Sequence, residues 1–152
     1  MSIIRNPEQG GDTTLETFYQ EVAERERQQQ PGLIAYYPGV GQPMLLLIER
    51  INELFKDTEL WGETSHSTLI VQQKNCPPGV WSVYVAADGF GNYSIEYLLP
   101  TAAQPWPGAF VRGGAETLKK AEHYLLIAMH ESGCWVGNSE LAALLESYAV
   151  RG

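Results

Sequence analysis

The sequence predicts an α+β fold in which helices pack mainly on one face of an antiparallel meander sheet of three or four strands. Three short segments, at about residues 67–74, 80–87 and 93–99, alternate apolar with polar or mixed side chains, as strands with one buried face do. The segments between them are rich in Asn, Asp, Gly and Pro, the residues that form tight turns. Strands that follow one another directly favour an α+β fold over a parallel, doubly wound one.

Two helical patterns precede this meander and supply the cover that a one-sided sheet needs. In the first, Thr13 and Glu16 have capping-box spacing, and Pro31 ends the pattern. The second begins near Pro43, a residue that the first helical turn accepts. The short apolar run 33–37 between the two helices is a candidate fourth strand. The second helix has the strongest apolar stripe of the chain, formed by Met44, Leu47, Ile48, Ile51, Leu54 and Phe55.

Two more helices are predicted after the meander. Residues 100–114 contain three prolines and three glycines, which predicts a structured loop. A third helix follows over about residues 115–132, and a last short helix begins near Asn138 or Ser139. Leu126 and Ile127 miss the apolar stripe of the third helix, so either the last helix covers them or they mark a partner or dimer surface.

Length and composition indicate one globular domain over residues 1–152, with residues 1–11 as a mobile arm. Hydrophobic residues make up 44% of the chain and charged residues 18%. A net charge of −8 argues against nucleic-acid and anionic-membrane binding, since both require a basic surface. With only two cysteines and neither a signal peptide nor a membrane-spanning apolar run, the sequence predicts a cytoplasmic protein.

No catalytic, metal or cofactor motif is complete. His130 and Cys134 have the i, i+4 spacing that metal sites use, but His123 lies two turns away and Gly133 interrupts the helix. A cysteine nucleophile would need a base that a third group orients. Cys134 and His130 could supply the nucleophile and the base, but the sequence offers no third group. We therefore predict no catalytic residue, no metal site and no cofactor.

Aromatic residues give the most suggestive pattern for binding. Trp106 lies between two prolines, and Phe110 and Arg112 follow it. Trp and Arg are enriched in interface hot spots, so this segment is a candidate contact surface. The alternative is that Trp106 or Phe110 covers an open end of the core, as large aromatic side chains usually do. Glu96 and Tyr84 project from the mixed faces of their strands and complete the predicted partner-binding set.

The hairpin sequence Gly89-Phe90-Gly91-Asn92-Tyr93-Ser94-Ile95-Glu96-Tyr97, with the loop and the helix sequence 114–122 that follow, resembles the small acidic immunity proteins of bacterial polymorphic toxin systems. The likeness covers about residues 66–132 and is one of size, charge and layout. It implies tight binding to a cationic toxin, with acidic residues such as Glu59, Glu63 and Glu96 and aromatic residues such as Tyr84 and Trp106 as contacts.

Other functions stay open at this point. A small-molecule-binding domain or accessory subunit, with a pocket between sheet and helices, is the second interpretation, and an enzyme is the third. The expected partner is another protein, of which a basic toxin is the specific form that the resemblance implies, and a homodimer is compatible with the sequence.

Overall fold

The computed structural model describes residues 3–9, 13–29, 39–75 and 82–151, and within these ranges the chain forms four α-helices and a six-stranded sheet. The helices are α1 (Leu15–Gln29), α2 (Gly41–Leu54), α3 (Leu118–Glu131) and α4 (Ser139–Arg151). The strands are β1 (Ile3–Arg5), β2 (Leu60–Ser65), β3 (Thr68–Gln73), β4 (Val83–Ala87), β5 (Tyr93–Leu98) and β6 (Phe110–Ala115). Short 3-10 helices lie at Pro7–Gln9 and Thr101–Ala103.

The strands lie side by side in chain order. β1 pairs with β2 in parallel, and all later neighbours are antiparallel. The prediction of an α+β fold with a mainly antiparallel sheet is therefore confirmed, whereas the predicted number of three or four strands is wrong. The candidate strand at 33–37 lies outside the described residues.

The three strands that the sequence analysis did not predict, β1, β2 and β6, lack the sequence pattern that identifies a strand. β2 contains Gly62, and β6 contains Gly113 and Gly114, so neither shows a regular apolar alternation. β6 occupies the end of segment 100–114, which is predicted to be a loop, and β2 precedes the first predicted strand, in a stretch where the sequence predicts none. β1 is only three residues long and pairs with a strand more than fifty residues away, which no local pattern can indicate.

Residues 3–9 differ from the expected mobile arm, because hydrogen bonds attach this segment to the sheet and to α2. The Asn6 amide donates to the Gly62 carbonyl at 2.8 Å. The Ile3 amide donates to Oδ1 of Asn52 in α2 at 3.0 Å, and the Ile3 side chain is fully buried.

The first three helices cover one face of the sheet. The Tyr93 hydroxyl of β5 donates to the Pro43 carbonyl of α2 at 2.9 Å, and the Tyr19 hydroxyl of α1 donates to the Ser67 carbonyl at 2.9 Å. α1 approaches β2 so closely that a Cβ atom on Gly62 would lie 2.9 Å from Leu15 Cδ1. α4 packs on the outer side of α3. None of the helices in the described ranges has an apolar stretch long enough to cross a bilayer.

Glu26 of α1 fixes the start of α2. Its carboxylate accepts hydrogen bonds from the amides of Val40 at 2.8 Å and Gly41 at 3.0 Å, which are donors that the helix itself leaves without partners. A negative charge at this position also interacts favourably with the positive end of the helix dipole. The position of α2 relative to α1 is therefore stabilised by a direct contact between the two helices.

Candidate partner-binding site

The site lies on the face of the sheet that α1, α2 and α3 leave uncovered. Along β4 and β5, Val83, Val85 and Ile95 are buried beneath the helices, so the residues between them point to the opposite side. We call this side of β3 to β6 the open face, and define it by residues Thr68, Tyr84, Ala86, Ser94, Glu96 and Arg112. Together with Ala87 and Asp88 these residues line a pocket of about 290 Å³.

An ion pair crosses the open face between β5 and β6. Glu96 and Arg112 lie opposite each other in the strand register, and Arg112 Nε is 3.2 Å from Glu96 Oε1. The same Nε atom donates to Ser94 Oγ at 3.1 Å. Arg112 is thereby held over β5, although most of its side chain is exposed.

Asp88 adds a second carboxylate at the end of the pocket nearest the β4–β5 turn. Burial opposes its ionisation, but hydrogen bonds from the Asn92 side chain at 2.9 Å and the Phe90 amide at 2.7 Å outweigh this effect and hold the pKa of Asp88 below its ordinary value. Asp88 is therefore ionised at neutral pH. The pocket combines two carboxylates, one guanidinium, a phenol ring and two smaller hydroxyls over a floor of small alanines, a surface suited to charged and polar groups of a partner.

The predicted site residues are only partly brought together. Tyr84, Glu96 and Arg112 line the one pocket, and Phe110 alternates with Arg112 on the open-face side of β6. Trp106 lies in the turn that precedes β6, and it is not among the residues that line the pocket. The structure thus joins residues from three strands that are distant in the sequence.

Trp106 and Phe110 do not cover the core, which was the alternative role for these residues. Trp106 is 67% exposed and Phe110 53% exposed. Their loop is nevertheless ordered by Gln104, whose side chain donates to the Leu99 carbonyl at 2.7 Å and accepts from the Gly108 amide at 3.0 Å. This loop therefore presents a large aromatic side chain from a backbone that hydrogen bonds hold in place.

On the same sheet face, the part formed by β2, β3 and the residue after β1 carries a buried polar cluster. The sequence did not indicate this cluster. Asn6 Nδ2 donates to Gln72 Oε1 at 2.9 Å and to Glu63 Oε1 at 3.3 Å, and all three residues are buried. Glu63 was expected among the toxin contacts, but it is only 6% exposed. Glu59, the other expected contact outside the open face, forms an ion pair with Lys74 at 2.8 Å.

The residues considered for metal or cysteine chemistry are not assembled into a site. α3 ends at Glu131, and Gly133 has a φ of 77°, so Cys134 does not continue the helical spacing from His130. The His123 ring stacks on Tyr148 with centroids 4.3 Å apart. Among the residues that the structure describes, no three His, Cys, Asp or Glu side chains are grouped so that they could hold a metal ion.

A second cavity lies on the helix side of β6. This groove of about 250 Å³ is mainly apolar, and its lining includes Ile95 and Tyr97 of β5, Val111 and Gly113 of β6, and Tyr124 and Ile127 of α3. Leu126 is fully buried, whereas Ile127 lines the groove. The off-stripe position of Ile127 was the only sequence signal of this groove.

Comparisons of the chain with protein-family models, with curated proteins and with solved structures find no match. The function therefore has to be inferred from the two faces of the sheet and the side chains that they present.

Proposed function

We propose that this chain is a protein-recognition domain that binds another protein through the open face. The observation that carries this proposal is the convergence of Tyr84, Glu96 and Arg112 on one pocket of a sheet face that no described helix covers. Tyrosine and arginine are among the residues enriched in interface hot spots. The exposed Trp106 and Phe110 extend the apolar contact area beside the pocket.

The partner that fits best is basic. The chain carries a net charge of −8, and the pocket itself holds two carboxylates against one guanidinium. Complementary charge speeds association and selects among partners more than it adds affinity. Neutralisation of a cationic toxin in the cytoplasm, as immunity proteins perform it, is the specific form of this function that charge and layout support.

Affinity capture from the source cells tests the proposal. Tagged protein is expected to retain a stoichiometric basic protein at low salt, and high salt is expected to release it because exposed charge interactions are screened. Glu96→Gln is expected to weaken binding of the captured partner about tenfold, a loss of roughly 1.4 kcal/mol. Titration calorimetry with the purified partner measures this change.

Glu49→Gln is the matched control, because Glu49 is an exposed glutamate on α2, on the helix side of the sheet. Equal losses in Glu96→Gln and Glu49→Gln would mean that only the overall charge matters, and would contradict a site on the open face. Retention of no protein at low salt would contradict protein recognition itself.

Small-molecule binding is the second candidate, and the groove between α3 and the β5–β6 hairpin is the observation that favours it. Its volume of about 250 Å³ is below the roughly 300–1,000 Å³ of most ligand pockets, and it opens at the sheet edge. Protein recognition is therefore the stronger interpretation. Retention of a small molecule, found by mass spectrometry of the denatured purified protein, would reverse this order.

A further inference from the structure

The register of the strands explains the shape of the pocket on the open face. Ser94 of β5 pairs with Ala86 of β4 on one side and with Gly114 of β6 on the other. A Cβ atom on Gly114 would meet nothing within 4 Å, so the space above this end of the row is open. Small side chains also line the rest of its base. We call Thr68, Ala86, Ala87 and Ser94 the pocket floor.

Larger, charged side chains border the pocket floor on two sides. On one side, Tyr84, Glu96 and Arg112 lie next to one another across β4, β5 and β6. On the other side, Asp88 follows Ala86 by two residues, a spacing that keeps it on the same face of the sheet. Asp88 and Glu96 both line the pocket, so its two carboxylates lie on opposite sides of the floor.

The distance between these two sides decides which cation can bridge them. The Asp88 amide donates to the Asn92 carbonyl at 3.0 Å, and Asn92 precedes Glu96 by four residues. An extended residue spans about 3.3 Å, so the two sides are about 13 Å apart at the backbone. A single ammonium nitrogen can join carboxylate oxygens that are about 6 Å apart, twice the length of a charge-assisted hydrogen bond. A guanidinium bridges a wider gap, because its donors lie on different edges of a plane.

The pocket floor also favours a guanidinium over an ammonium ion. Ala86 and Ala87 are apolar, and a guanidinium is the more weakly hydrated cation, so it loses less solvation when it lies over them. Thr68 and Ser94 contribute hydroxyl oxygens that can accept hydrogen bonds from its remaining donors. Apolar surface and hydrogen-bond acceptors thus occur together within one cavity of about 290 Å³.

Arg112 leaves the pocket able to accept a second cation. Its Nε atom is 3.2 Å from Glu96 Oε1 and 3.1 Å from Ser94 Oγ. A carboxylate has about four acceptor sites on its two oxygens, so Glu96 can also accept from a second guanidinium. Asp88 and Glu96 together outnumber Arg112, and one further positive charge therefore neutralises the pocket.

We propose that this pocket receives a single arginine side chain of the partner protein, whose guanidinium lies over the pocket floor between Asp88 and Glu96. This inference rests on the proposed function, because it names the group by which the open face recognises a basic protein. The pocket selects arginine over lysine, since a guanidinium can donate to both carboxylates at once.

N-acetyl-arginine amide, titrated into the natural protein and followed by two-dimensional NMR, tests the pocket without the partner. We expect a dissociation constant on the order of 1 to 10 mM. The amide signals of Ala86, Ser94 and Glu96 are expected to shift. The capped amides of lysine and of citrulline, which has the shape of arginine without its charge, should bind at least about fivefold more weakly. Binding of either control as tight as that of the arginine amide, or no shift with the arginine amide, would overturn the proposal.

Two variants locate the binding within the pocket. Ala86→Leu fills the pocket floor and keeps every charge, so the arginine amide is expected to bind about tenfold more weakly. Asp88→Asn removes one of the two carboxylates and should bring the arginine and lysine amides to the same affinity. Glu49→Gln on the helix side is the control and should bind like the natural protein. Unchanged binding to Ala86→Leu, or an unchanged preference in Asp88→Asn, would overturn the proposal. The NMR spectra show whether each variant is folded.

The captured partner separates this inference from the proposed function. If its affinity falls in Glu96→Gln but not in Ala86→Leu, the open face binds the partner without an inserted side chain, and the arginine pocket alone is refuted. Retention of no protein at low salt refutes protein recognition, and with it an arginine of a partner. If free arginine binds more tightly than its capped amide, the pocket recognises the charged ends of a small molecule, which refutes side-chain recognition.

Discussion

At the scale of single residues, an ion pair between Arg50 of α2 and Glu122 of α3 joins two helices of the layer that covers the sheet. Arg50 Nε and Nη2 donate to the two carboxylate oxygens of Glu122 at 3.0 and 3.1 Å. The Glu122 side chain is only 3% exposed, whereas that of Arg50 is 35% exposed. Burial opposes ionisation of Glu122, but hydrogen bonds from Arg50 and Tyr148 and the charges of Arg50 and Lys119 outweigh it, so the pKa of Glu122 lies below its ordinary value.

Arg50→Met is expected to destabilise the fold by about 2 to 3 kcal/mol, because it leaves a buried carboxylate without its counter-ion. The value is at the lower end for such pairs because Arg50 is partly solvated. The double variant Arg50→Met/Glu122→Leu should recover most of this loss. Urea denaturation measures both. Arg27→Met, which removes an exposed ion pair with Glu24, is the control. Equal losses of stability in Arg50→Met and Arg27→Met would show that burial of the Glu122 carboxylate does not determine the loss.

The lowered pKa of Glu122 also predicts how stability depends on pH. The unfolded carboxyl titrates near its ordinary value of 4.5, and the folded one titrates below it. The contribution of Glu122 is therefore fully present above the unfolded pKa and lost as pH falls through the folded pKa. Glu122→Gln should be clearly less stable than the natural protein at neutral pH, and the difference should shrink on acidification. Urea unfolding between about pH 7 and about pH 3 measures it. A difference independent of pH would contradict this, and Glu49→Gln is the exposed control.

At the scale of elements, the contact between α1 and α2 depends on a glycine at the first position of α2. A Cβ atom on Gly41 would lie 2.6 Å from the Tyr19 carbonyl oxygen and against the Ala23 backbone. The two helices approach this closely because Glu26 of α1 binds the first amides of α2.

Gly41→Ala is therefore expected to have two opposing effects on stability: a higher helix propensity and a steric clash with α1. Alanine in a helix is favoured over glycine by about 1 kcal/mol, whereas forcing a methyl group into a closely packed contact costs about 3 kcal/mol when backbone must move. We expect a net loss of roughly 2 kcal/mol in thermal or urea unfolding. Gly114→Ala, with open space around the new methyl group, should be nearly neutral. A Gly41→Ala protein more stable than the natural one would show that the helices do not pack this closely.

The elements that the sequence predicted well are those with a regular buried face. α2 was expected from its apolar stripe, and Met44, Leu47, Ile48 and Ile51 of that stripe are buried. β6 was missed because only its Ala115 is fully buried, so side-chain burial imposes no alternation on its sequence. The alternation of apolar and polar residues thus predicts elements that bury one face in the core. It does not predict an edge strand such as β6, whose side chains are mostly exposed.

At the scale of the whole molecule, the candidate site was predictable in its residue types but not in its geometry. The sequence predicts Tyr84, Glu96 and Arg112 as partner contacts, yet it places Arg112 in a loop. That Arg112 lies opposite Glu96 depends on the length of the loop between β5 and β6 and on the bonds that Gln104 makes within it. Such a register is a property of the folded hairpin, and no spacing in the sequence specifies it. Whether these residues contact a partner stays a prediction.

The charge of the whole chain and the charge of the open face make different predictions, and one double substitution separates them. Glu96→Arg/Arg112→Glu preserves the net charge of −8 and allows the ion pair across β5 and β6 to form in the reverse direction. Stability should therefore change by less than about 1 kcal/mol, as expected for a largely exposed pair.

Affinity for a basic partner should nevertheless fall by about two orders of magnitude, because a like charge now replaces the carboxylate that faces the partner. Calorimetric titration at two salt concentrations measures the loss, and the exposed-pair reversal Glu24→Arg/Arg27→Glu on α1 is the control. If Glu96→Arg/Arg112→Glu binds as tightly as the natural protein, the partner responds to the overall acidity of the chain or to another surface. If it alone loses binding, recognition depends on the direction of a single ion pair on the open face, since net charge and fold are the same in all three proteins.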